Sequence, residues 1–73
     1  MSHTVLAELV ATVLSIAARP GDTVAVGDTL VILESMKMEI PVLVEVRGTV
    51  AEVAVRVGDQ ISEGDTIAVI DTV

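Results

Sequence analysis

Lys37 is the only lysine of this chain, and it stands between two methionines in the run Glu34-Ser35-Met36-Lys37-Met38-Glu39. A primary amine offers two kinds of covalent chemistry. As a free base it attacks carbonyl groups itself; as a passive substrate it is acylated by an enzyme that supplies both the activated acyl group and the deprotonation. Nothing local favours the free base, because Glu34 and Glu39 would stabilise the ammonium form. Lys37 is therefore better suited to be a substrate than a Schiff-base catalyst. The bland reading is a solvated surface charge, the usual role of an exposed lysine. Its neighbours are harder to explain that way. Met36 and Met38 either fill gaps in a core or present flexible apolar side chains that a second protein reads. Glu34 and Glu39 either solvate the segment or guide a basic surface toward it.

The rest of the chain has little that could do chemistry. There is no cysteine, and the single histidine, His3, has no plausible nucleophile to serve. Asp22, Asp28, Asp59 and Asp65 each follow a glycine, singly, without the dense ligand spacing of a calcium loop, so turn formation is their expected role. No glycine-rich nucleotide loop or metal-ligand cluster is present, so an independent enzyme has no residues to support it. A net charge of −7, with Arg19, Arg47 and Arg56 isolated from one another, argues against nucleic acid. The absence of aromatic residues removes base-stacking platforms as well. No run approaches the roughly 20 apolar residues needed to span a bilayer, and the start has neither the basic nor the apolar region of a signal peptide. The expectation is a soluble cytoplasmic monomer, with the lack of cysteine fitting a reducing compartment.

The elements that must position Lys37 can be read from composition and repetition. Valine, isoleucine and threonine supply 28 of the 73 residues, and branched side chains suit a pleated strand better than a helix. Sliding the chain against itself by 37 positions aligns residues 5–33 with 42–70 without a gap, and 12 of the 29 pairs are identical. The chain is one domain, 1–73, built from a duplicated unit.

Each unit carries two Gly-Asp turns that divide it into short strands. Residues 5–18 alone also fit helical spacing, through Leu6, Leu9, Val10, Val13 and Ala17. The duplicate decides against a helix, because its matching stretch follows Pro41, contains Gly48 and holds six valines. Strands are predicted near 4–9, 12–18, 23–25, 29–35, 39–45, 49–55, 60–62 and 67–71. Period-two alternation puts Leu14, Ile16 and Ala18 on one face of the second strand, and Ala51, Val53 and Val55 on one face of the sixth. Two similar four-strand units most simply pack face to face about an approximate two-fold axis, giving a flattened all-β barrel or sandwich. Residues 34–41 have no counterpart. They join one unit to the next and set Lys37 at a hairpin tip, with the two ends of the chain near the corresponding opposite edge.

At "ESMKMEIPV" the sequence resembles the biotinyl/lipoyl attachment domain family, whose biotinyl branch carries a lysine between two methionines at a hairpin. The resemblance spans nearly the whole chain. "VLSIAARPGDTVAVGDTLVILESMKMEIPV" is similar to the attachment half and "GTVAEVAVRVGDQISEGDTIAVI" to the second half; the length fits free-standing biotinylated proteins. The resemblance implies a barrel of two four-stranded antiparallel sheets and a non-catalytic carrier. It implies that a biotin protein ligase attaches biotin to the ε-nitrogen of Lys37, with Glu34, Ser35, Met36, Met38 and Glu39 as the candidate recognition residues. The tethered biotin would then carry a carboxyl group between biotin carboxylase and carboxyltransferase sites. Ser35 departs from the alanine more common in carboxylases, and Glu8 and Ala11 replace the usual proline and glycine. The gap-free repeat leaves no room for the protruding thumb of some bacterial carriers. A lipoyl carrier is the nearest alternative, although lipoyl domains usually lack methionines at these positions; an unmodified β interaction module is the other.

Overall fold

The computed structural model describes residues 1–72 and contains eight strands in chain order. They are β1 (Ser2–Leu6), β2 (Ala11–Ile16), β3 (Thr23–Val24), β4 (Thr29–Ser35), β5 (Met38–Leu43), β6 (Gly48–Val53), β7 (Gln60–Ile61) and β8 (Thr66–Asp71). All eight predicted strands are present, and residues 5–18 form β1 and β2 rather than a helix. No helix in the described residues is long and apolar enough to cross a membrane.

Two four-stranded antiparallel sheets face each other, in the orders β1-β8-β6-β3 and β5-β4-β2-β7. Shifting every strand of the first sheet by four in chain order gives the second, which is the pseudo-two-fold symmetry of the sequence repeat expressed in topology. The units do not each form a sheet, as simple face-to-face packing would have it. Each sheet takes two strands from either half, so the halves are interlocked.

Four reverse turns complete the interlock. At Arg19-Pro20-Gly21-Asp22 the aspartate N–H donates to the Arg19 carbonyl (3.0 Å), and its carboxylate accepts from the Arg19 N–H (2.9 Å). Gly21 has φ 95°, the left-handed third position that a type II turn requires, and Pro20 supplies the second. The same pattern recurs at Asp28, Asp59 and Asp65. Each turn then grips one residue of the opposite half by two backbone bonds. Gly21 and Asp22 bond to Val50, and Gly58 and Asp59 to Val13. The four aspartates are thus turn residues, each with one carboxylate oxygen committed to a backbone N–H.

The core contains no buried polar side chain among the described residues. Its four largest fully buried members, Leu30, Leu33, Ile67 and Ile70, come from the pseudo-equivalent strands β4 and β8. Strict alternation fails at two equivalent places in each half. The register of β2 slips at Leu14 and that of β6 at Ala51, two bulges at equivalent positions of the repeat. An extra residue in a bulge reverses the phase of what precedes it. The core therefore receives Val13 and Val50, while Leu14 and Ala51 are exposed, correcting the facing expected for those two residues. Beyond the bulges Ala18 and Val55 are buried as expected. Bulges at Leu30 and Ile67 likewise let the consecutive pairs Leu30-Val31 and Ile67-Ala68 both point inward.

Candidate functional site

The hairpin between β4 and β5 has the shortest usual loop, two residues. Ser35 faces Met38 as the last cross-strand pair, leaving Met36 and Lys37 as the turn itself. Both have positive φ, 54° and 64°. Two successive left-handed residues are the signature of a type I′ turn, whose twist matches the flanking strands and which normally uses Asn-Gly. Side chains with a Cβ pay about 1–2 kcal/mol each for this conformation. Left-handed non-glycine residues occur nowhere else among the described residues, so the strain is confined to the tip that carries the lysine.

Lys37 is exposed, and among the described residues its amine makes no ion pair and no hydrogen bond. Met36 is 90% exposed and Met38 60%, so neither fills the core. Two apolar, flexible side chains held in water on either side of an amine have no role in packing. Glu34 and Glu39, both exposed, face each other one pair below the Ser35–Met38 pair, and Ser35 is half-buried. All six residues singled out in the sequence thus meet at one tip. His3 does not join them. It lies on β1 opposite Ile70, remote in topology from the hairpin, and no group of acidic or histidine side chains suited to a metal ion forms among the described residues.

The opposite junction is the hairpin's structural counterpart. Ser2 pairs with Asp71 as Glu39 pairs with Glu34, and the Thr72 N–H donates to the Met1 carbonyl at 2.7 Å. The ends of the described chain therefore occupy the position expected for them, the pseudo-symmetric mate of the lysine turn. The left-handed backbone at Met36 and Lys37 escaped the sequence reading, because neither residue is a usual type I′ former.

A family model described as "Biotin-requiring enzyme" matches residues 3–70. The chain belongs to this biotin/lipoyl family. Within it, the chain is 60% identical over 42 residues to the biotinylated protein TB7.3 homolog of Mycolicibacterium smegmatis, a match covering 58% of this chain and 59% of that protein. The chain thus spans somewhat over half the length of the curated relatives it matches. Its fold superposes on part of the Kluyveromyces lactis urea carboxylase with a TM-score of 0.91 and 31% identity, covering 97% of this chain and 6% of that one. It also superposes on the lipoyl domain of the 2-oxoglutarate dehydrogenase complex of Azotobacter vinelandii, with a TM-score of 0.74, 27% identity, and coverage of 86% and 80%.

Proposed function

We propose that this chain is a cytoplasmic biotin carrier domain in which Lys37 receives biotin through an amide and presents it to the two active sites of a carboxylase. The observation that carries the reading is the tip itself: a lone amine, unpaired among the described residues, on a strained two-residue turn between two methionines exposed to solvent. The similarity to a biotinylated protein and to a urea carboxylase supports biotin as the group.

In the proposed reaction a biotin protein ligase provides biotinyl-adenylate. The Lys37 ammonium gives a proton to the ligase or to water, the free Nζ attacks the acyl carbonyl, a C–N bond forms, AMP leaves with the electrons of the broken acyl C–O bond, and the nitrogen sheds a second proton to water to leave the neutral amide. The lost cation takes the formal net charge of the chain from −7 to −8. Met36 and Met38 would supply apolar contacts to the ligase and Glu34 and Glu39 a negative rim, with Ser35 small enough to let the ligase approach. Once loaded, the domain catalyses nothing. Tethering raises the local concentration of the carried group at each site, which is the benefit of a carrier.

Similarity to a lipoyl domain keeps lipoyl as the second reading, and the attached mass separates the two. The test is intact-mass spectrometry with fragmentation on the chain purified from its native cells. A biotinyl adduct on Lys37, absent in Lys37→Arg, is the expected result. A lipoyl adduct would replace the cofactor, and bare lysine in cells whose other carboxylases are biotinylated would overturn the carrier.

A further inference from the structure

A groove of about 920 Å³ opens between β1 and β5, one edge strand of each sheet. It is lined by every residue from 3 to 9 and from 40 to 45. A strand face would contribute only alternate residues, so these unbroken runs mean that strand edges, backbone included, form the walls. Among the described residues neither β1 nor β5 has a hydrogen-bonded strand on its outer side, and such an edge is a template for another strand.

The walls have a definite chemistry. Leu6 and Leu43, mates in the repeat, are 50% and 46% exposed along the groove and form an apolar band. Glu8 and Glu45, another pair of mates, add two exposed carboxylates, and Glu63 adds a third. No lysine or arginine lines the groove. A second copy of the chain would bring three carboxylates against three, and an anionic lipid surface or nucleic acid would meet the same repulsion. Pro41 on β5 further lacks a backbone donor, whereas β1 contains no proline.

We propose that this groove seats an extended segment of a partner protein in which a lysine or arginine stands two residues from each apolar residue, because Leu6 and Glu8, like Leu43 and Glu45, lie on one exposed face with Ala7 and Val44 turned inward between them. The segment adds as a strand to the free edge of β1. Its apolar side chains rest on Leu6 and Leu43, and its cations pair with Glu8, Glu45 and Glu63. Acylation of Lys37 is not required, so the proposal stands or falls separately from the carrier reading.

The test uses the full chain, labelled with nitrogen-15, and a capped peptide of about eight residues repeating Val-Thr-Lys-Thr, a typical strand length that sets valine and lysine on one face. Saturable amide shifts confined to residues 3–9 and 40–45 are expected, with no response to the counterpart carrying glutamate in place of each lysine. The variant E8Q/E45Q/E63Q should weaken binding at least about fivefold, and E34Q/E39Q/E52Q, which removes the same charge outside the groove, less than about twofold. Denaturation midpoints of both variants verify that they fold. Equal weakening by the two variants, shifts spread over the whole acidic surface, or no saturable binding would overturn the proposal. Peptide-independent dimerisation through the groove would overturn it in favour of a second copy.

Discussion

Glu34 on β4 lies directly opposite Glu39 on β5, the second residue pair below the turn that presents Lys37. Like charges at directly opposed positions of an antiparallel pair destabilise it. An acidic pair beneath the tip therefore opposes the hairpin that displays the amine, which makes sense where the pair is read by a basic surface.

The pair gives the first prediction. Glu39→Gln should stabilise the domain by a few tenths of a kcal/mol up to about 1 kcal/mol, while slowing biotin incorporation by a purified ligase. Urea denaturation and initial rates on the same sample check both halves. A faster rate in the variant would show that the carboxylates only solvate the strand.

The turn gives the second. Asparagine tolerates the left-handed region that Met36 occupies at φ 54°, so Met36→Asn should leave stability unchanged or raise it by up to about 1 kcal/mol. Removing the exposed thioether should at the same time slow acylation severalfold. A loss of stability would mean that the methionine packs on something, contrary to its 90% exposure.

Equivalent turns should respond equivalently. In Asp22→Ala and Asp59→Ala the N–H groups of Arg19 and Arg56, bonded at 2.9 Å in both cases, lose the same partner. Each substitution should cost about 1 kcal/mol. Separate urea midpoints test this, and the double variant should be close to additive because the turns grip different residues, Val50 and Val13.

Gly48 has no such tolerance. A Cβ there would collide with the carbonyl oxygen and carbon of Asp71 and with Cγ2 of Ile70, and a backbone carbonyl in a central strand cannot move aside. Gly48→Ala should cost about 1–3 kcal/mol. At roughly 4–8 °C of melting temperature per kcal/mol for a domain of this size, calorimetry will resolve it readily. Its mate in the repeat is Ala11, which the first unit buries without difficulty, so Ala11→Gly should be milder.

Much of this was legible in the residues themselves. The duplication, the four Gly-Asp turns and the valine-rich alternation specify eight strands and a hairpin at 34–41, because local chemistry at each turn dictates where the chain reverses. The interlocking of the halves was not legible: whether a strand pairs within its own unit or with the other depends on contacts distant in sequence. The facing of Leu14 and Ala51 departs from simple alternation for a related reason. A bulge adds one residue without altering composition or local propensity, and only the register against β4 and β8 reveals it.

The sequence by itself determined that one lysine would stand at the junction of two similar units, flanked by methionines and glutamates, since those identities and their lack of a repeat partner are facts of order alone. The tertiary structure decided that Met36 and Lys37 turn left-handed, that both flanking methionines stay in water, and that β1 and β5 leave an acidic groove between their edges. Those features arise only when the two sheets close over the apolar core. Burial of Leu30, Leu33, Ile67 and Ile70 fixes the registers of β4 and β8, and the registers in turn fix which side chains and which strand edges are left facing solvent.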